Sequence, residues 1–260
     1  MPPTSPQEHP RLLLLGPVQL INAHGSTPER AMDSCCEYLA WLTRNPGGSG
    51  WTMSRDLIIA DGTRRSNLSR LRAWLGRLPD GAPYLPDAYG GRFNLDERVD
   101  TDWDQVALLL APNLDDVADA ALRSALGLVR GAPLADTPPG CWSWAEDWRL
   151  DMTTTLRDAG VALANRALEQ LDLDLARWAA TRALMACPGD TTVLGLRLRV
   201  EYLAGNRAEA RRLALSISRQ ARTLGIAVPD DLRAILQRLT DDDWNDEPDR
   251  DPRLEDDTVA

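Results

Sequence analysis

The sequence predicts a mostly α-helical chain with a small α+β unit at its front, and three observations carry that prediction. Between residues 11 and 100 the local signals run strand, strand, helix, short helix, basic helix and glycine-tipped hairpin. Within that run, Arg64 to Leu78 (RRSNLSRLRAWLGRL) holds five arginines and no acid, in a chain of 260 residues with net charge −10. Beyond residue 100, two helical segments repeat at a spacing of 34 residues. The first two observations describe a winged helix-turn-helix domain over residues 11–100. The third describes an all-α, tetratricopeptide-like domain over residues 101–240.

Residues 1–10 are proline-rich and polar and are expected to form a disordered leader. Two short strands follow, Arg11–Leu15 and Val18–Asn22, interrupted at Gly16-Pro17. Ser26 and Glu29 have capping-box spacing, and Pro28 suits a first helical turn. The helix they would start puts Met32, Cys35, Cys36, Leu39 and Leu42 at core spacing and stops at Asn45-Pro46-Gly47-Gly48. Thr52 can cap a second, short helix reaching about Ala60, and Asp61-Gly62-Thr63 turns the chain into the arginine helix.

At about 100° per residue, Leu68, Leu71, Trp74, Leu75 and Leu78 share one arc of that helix, the pattern of a face packed on a core. The opposite arc is small: Ser66, Ser69, Ala73 and Gly76. Arg65 and Arg72 line one edge of the small strip, and Arg70 and Arg77 line the other. Small residues let a helix approach a surface closely, while arginines at its edges reach phosphates or guanine edges. A helix lying in a DNA major groove needs that layout. Arg64 falls toward the apolar arc and is read as a phosphate contact at the helix start. Arginine density alone says little, because Asn206–Arg222 also carries five arginines with one acid, and a solvated helix face would look the same.

After the helix, Pro83-Tyr84-Leu85-Pro86 and Arg92-Phe93-Asn94-Leu95 flank a Gly90-Gly91 tip and read as a wing hairpin, with Arg92 placed to enter a minor groove. The second half is read as helices at Trp103–Ala111, Leu114–Arg130 and about Trp142–Leu171. Then come the repeated segments, in which Ala176 matches Ala210, Arg177 matches Arg211 and Ala180 matches Ala214. Residues 241–260 are expected to be a disordered acidic tail, since Asp241–Asp257 has ten acids and two arginines.

Composition excludes several classes. All 29 basic residues are arginine, and the pI of about 4.8 speaks against general polyanion affinity. Four cysteines without paired spacing and two histidines in loops offer no zinc site, and no metal or cofactor is expected. The apolar run Leu12–Leu15 is too short for a signal or spanning segment, so a cytoplasmic location is expected. No phosphate loop or nucleophile motif is present, so the chain is not expected to be an enzyme. Trp142, Trp144 and Trp148 do not form one stripe and are read as packing between the two halves.

The segments LLLLGPVQL, NLSRLRAWLG, PYLPDAYGGRFNL, VDTDW and ALGLVRGAPLAD, with the final repeats, together cover Arg11 to about Leu239. In that order they resemble the bacterial transcriptional activator domain proteins of actinobacteria, the group that includes the Streptomyces antibiotic regulatory proteins. DGAPYLP, CWSWAE and LARWAATRAL resemble most the C-terminal part of a subgroup that also carries a LysM module. Where the family usually has a Leu-Trp-Pro-like turn before the recognition helix, this chain has Leu57-Ile58-Ile59-Ala60.

The resemblance implies a transcription regulator that binds double-stranded DNA through Arg64, Arg65, Ser66, Ser69, Arg70, Arg72, Arg77 and Arg92. It also implies a helical domain for homo-oligomerisation or for contact with RNA polymerase or another protein. The alternative is a protein–protein adaptor, descended from the LysM subgroup, that no longer binds DNA. The acidic total favours the adaptor, and the acid-free helix favours the regulator.

Overall fold

Strand β1 (Arg11–Leu13) lies in the middle of a three-stranded sheet in the computed structural model, which describes residues 8–110, 113–137, 141–225 and 230–240. The leader up to residue 7 and the acidic tail lie outside the described residues. Residues 8–10 run onto the fold, with Pro10 buried. β1 pairs antiparallel with β2 (Gln19–Ile21), Leu12 opposite Leu20. On its other side it pairs parallel with β3 (Asp100–Thr101), Leu12 opposite Thr101, a strand the sequence reading did not separate from the helix after it.

The chain beyond β1 is just as tightly tied to the second half. Leu15 O accepts from Arg130 N at 2.7 Å, Leu14 O from Leu134 N at 2.8 Å, and Gly16 O from Ala135 N at 3.1 Å. A Cβ on Gly16 would lie 2.9 Å from Arg130 Cβ, so only glycine permits this approach. Asp102, at 1% exposure, accepts from Leu14 N at 2.7 Å and Leu15 N at 3.2 Å. Burial raises its carboxyl above the ordinary range, against the opposing pull of these amide donors and Arg130.

Helices dominate, as the sequence predicted, but several boundaries differ for identifiable reasons. Helix α1 (Met32–Arg44) starts after the expected Ser26/Glu29 box, and its N-cap, Ala31, makes no side-chain cap. The preceding segment is instead held across the end of another helix, through His24 N to Leu75 O at 3.1 Å and Gly25 N to Trp74 O at 2.9 Å. Helix α2 (Gly50–Asp56) is capped by Ser49, with Thr52 completing the capping box three residues on. Helix α3 (Asp61–Leu75) is the arginine helix and ends at Gly76, whose φ of 80° suits a residue without Cβ.

The expected wing hairpin does not form. Residues 76–99 contain only single bridges, Arg77 to Pro83 and Ser49 to Arg92, and a 3₁₀ turn at Tyr89–Gly91. Pro83 and Pro86 have no N–H to give a ladder. Phe93 N donates to Gly48 O at 2.8 Å rather than across a hairpin. With Tyr84, Leu85 and Phe93 buried, the segment is a loop strapped against α2 and α3.

In the second half, α4 (Asp102–Leu110) begins one residue before the expected Trp103, and the expected end, Ala111, lies outside the described residues. The helix expected over Leu114–Arg130 is a 3₁₀ turn, Leu114–Asp116, followed by α5 (Asp119–Gly127). Arg166 accounts for the break: its guanidinium takes the carbonyls of Leu114 (3.2 Å), Asp115 (2.9 Å) and Val117 (2.6 Å). Helices α6 (Glu146–Glu169), α7 (Leu173–Ala186), α8 (Thr191–Leu203), α9 (Arg207–Leu224) and α10 (Asp230–Thr240) follow, with α6–α7, α7–α8 and α8–α9 in the most extensive contact. Small residues set the spacing: Ala176, Ala180 and Ala210 are fully buried, and a Cβ on Gly160 would meet Ala183 Cβ at 2.5 Å.

One hydrophobic core runs without interruption from Leu12 through α1, α3, α5 and α6 to Val200. The shared strand and the tryptophans of residues 142–148 fuse the two halves.

Candidate nucleic-acid interface

Helix α3 owes its orientation to the apolar arc predicted for it. Leu68, Leu71, Trp74, Leu75 and Leu78 are all buried, at 0–6% exposure. Ser66, Ser69 and Ala73 are correspondingly exposed, and Gly76 is half-buried. The small strip therefore faces outward, flanked by arginine-bearing edges.

The arginines themselves are in different states. Arg64 is buried at 9% exposure, and its guanidinium donates to Gly50 O (2.6 Å), Ser54 Oγ (2.6 Å) and Asp61 Oδ1 (2.5 Å). It clamps α2 to α3, and a Cβ on Gly50 would sit 2.9 Å from its Cζ. The reading of Arg64 as a phosphate contact rested on its place in sequence; its donors are turned inward. Arg65 is the open one, 76% exposed and 3.6 Å from Asp61. Arg70 is half-buried and donates to Asn67 Oδ1 at 2.6 Å; Asn67 is itself buried, its amide 3.4 Å from the Tyr38 hydroxyl. Arg77 donates to Gly81 O at 2.8 Å and Arg92 to Gly47 O at 3.0 Å, both at the exposed surface. Arg72 turns into the strapped loop, donating from Nε to Leu85 O at 3.2 Å and from Nη2 to Pro86 O at 3.5 Å, with Asp87 Oδ1 3.4 Å from Nε.

Two open clefts lie between α3 and that loop. One, of about 520 Å³, is lined by His24, Arg72, Ala73, Gly76, Arg77, Pro83, Leu85 and Asp87. The other, of about 340 Å³, is lined by Gly50, Arg64, Arg65, Leu68, Arg72, Asp87, Ala88, Gly91 and Phe93.

Under the end of α3, the chain's two histidines converge on one hydroxyl. His9 Nδ1 lies 3.1 Å and His24 Nδ1 3.2 Å from Tyr84 Oη, and His24 Nε2 reaches Glu8 O at 3.0 Å. No spacing in the sequence announces this cluster, because its members are 60 and 75 residues apart. Nor did the sequence reading give Asp87 a role.

The three tryptophans pack between the halves, as their spacing suggested. Trp142 and Trp144 stack with centroids 6.0 Å apart, and Trp148 follows at 6.3 Å. Glu37 of α1 accepts from Trp142 N at 2.9 Å and Trp144 Nε1 at 3.2 Å. In the second basic stretch, Arg212 is already paired with Glu209 at 2.6 Å. Among the described residues no helix is long and apolar enough to cross a membrane.

No family model matches the chain, and no curated protein matches it. Among solved structures it is similar to Mycobacterium tuberculosis EmbR, determined in complex with a low-affinity phosphopeptide, with a TM-score of 0.58 and 18% identity. The match covers 89% of this chain, which spans 65% of the EmbR chain. At that identity the likeness is one of fold.

Proposed function

We propose that the chain is a DNA-binding transcription regulator in which α3 enters the major groove of duplex DNA. The observation that carries this reading is the outward strip Ser66, Ser69 and Ala73 lying between arginine-bearing edges, with the apolar arc behind it fully engaged in the core. Arg65, Arg70, Arg72 and Arg77 contact phosphates or guanines, and Arg92 contacts the backbone from the loop that replaces the wing. Arg64 acts indirectly, by fixing α3 on α2. The repeated helices serve oligomerisation or contact with RNA polymerase. The chain works in the cytoplasm, without a cofactor and not as an enzyme. Support comes also from the EmbR-like fold, which agrees with a regulator of the activator-domain type.

The adaptor reading draws on one observation of its own: Arg64 and Arg72 spend their hydrogen bonds within the fold. A shift assay with the full chain and a pool of random-sequence duplexes separates the two. The regulator binds at low ionic strength, weakens steeply as salt rises and enriches a sequence on repeated selection. An adaptor shows no salt-sensitive binding.

A further inference from the structure

Arg72 and Asp87 border both clefts beside α3. The pair is therefore the partition between them, and parting it would join the two into a single groove along the helix. The groove would be basic: Arg65 stands at one end, Arg77 and His24 at the other, and Arg72 in the middle. Among the described residues, Asp87 is the sole acid lining either cleft.

The contact that closes the partition is weakly built. Asp87 is 76% exposed against 24% for Arg72, and lies 3.4 Å from Arg72 Nε; an ion pair with one partner this open to water contributes little. The two neutral carbonyls that share the guanidinium, Leu85 O at 3.2 Å and Pro86 O at 3.5 Å, are long contacts. The loop tip that follows holds Gly90 and Gly91 at φ 73° and 78°, with nothing within 4 Å of where a Cβ would stand. By contrast, the two ends of the loop are anchored by buried Tyr84 and Leu85 on one side and buried Phe93 on the other. Between Leu85 and Phe93, the half-buried Pro86 and the exposed Asp87, Gly90, Gly91 and Arg92 can shift without drawing a buried side chain out of the core.

We propose that Arg72 forms a phosphate-binding subsite for the DNA backbone and that the Asp87 carboxylate occupies it in the free protein. The inference rests on the DNA-binding reading of α3. A phosphodiester oxygen takes the place of the carboxylate on the guanidinium, and the loop from Pro86 to Gly91 moves aside. Asp87 thus sets the affinity of the helix without touching DNA. It also raises the cost of weak, non-specific contacts, because the loop must be displaced before Arg72 is available.

The test compares the full chain with Asp87→Asn, Arg72→Ala and the double variant, each first checked for an unchanged thermal midpoint. The DNA is the duplex selected by the wild-type chain. Asp87→Asn tightens binding about two- to fivefold, the span of an exposed ion pair. Arg72→Ala weakens binding and lowers the slope of log affinity against log salt by about 0.9. The double variant matches Arg72→Ala, since the carboxylate has nothing left to restrain. If Arg72→Ala weakens binding but Asp87→Asn leaves it unchanged or weaker, the subsite closure is wrong while the DNA reading stands. If Asp87→Asn improves binding of inorganic phosphate, measured against chloride at equal ionic strength, but not of DNA, the assignment to the DNA backbone is overturned. Absence of salt-sensitive DNA binding by the wild-type chain removes both readings together.

Discussion

Glu37 of α1 accepts a hydrogen bond from the indole N–H of Trp144 at 3.2 Å, across more than a hundred residues of sequence. The same oxygen takes the backbone N–H of Trp142, whose φ of 63° marks the turn into α6. One carboxylate thus fastens the turn into α6 to the helix that backs α3. Replacing it with alanine leaves two donors without their partner. Glu37→Ala is expected to lower stability by about 1–3 kcal/mol. A urea titration checks this, and a loss under about 0.5 kcal/mol, the range of ordinary surface substitutions, would show that solvent serves those donors equally well.

Trp74→Ala is expected to cost about 3–5 kcal/mol, because the ring is 6% exposed within the common core. With one core joining both halves, tryptophan fluorescence and far-UV circular dichroism should report a single coincident transition. A helical half that stays folded after the first half melts would contradict the shared core.

Glu201 of α8 is fully buried and accepts from Arg177 Nε and Arg197 Nε at 2.8 Å and from Asn206 Nδ2 at 3.0 Å. Burial alone would raise its carboxyl, but the two arginine bonds outweigh that and hold it below the usual carboxylate range. Its contribution to stability is therefore complete above the unfolded-state pKa and is lost as pH falls through the lower, folded-state value. Glu201→Gln should remove about 1–3 kcal/mol at neutral pH and flatten the acid limb of the stability–pH curve. An acid limb unchanged from wild type would mean that Glu201 is not the group responsible.

Much of the fold was legible because it is local or periodic. The apolar arc of α3 could be read from Leu68 to Leu78 since a helix's own geometry dictates which residues share a face. The alanines at 34-residue spacing were equally readable, as close helix contacts demand small side chains. What escaped was non-local. β3 is two residues long and exists because β1 offers it an edge. The hairpin expected from Pro83 to Leu95 lost to hydrogen bonds made with Gly48 and Gly76, which no local pattern encodes. In the candidate site, the positions of the arginines were legible but their engagement was not. Arg65 and Arg72 line the same edge of the strip, yet one stands open and the other is held by Asp87.

The central claim is that the geometry of α3, rather than arginine content, binds DNA, and the chain contains its own control. Both α3 and α9 belong to stretches with five arginines. The most direct measurement is the salt dependence of duplex binding for Arg65→Ala, Arg70→Ala, Arg211→Ala and Arg212→Ala in the full chain. The first two should weaken binding, and each that loses a phosphate contact should lower the log–log salt slope by about 0.9. The second two should leave affinity and slope as they are in the wild type. Equal effects from all four, or no salt-sensitive binding by the wild-type chain at low ionic strength, would contradict the recognition-helix account.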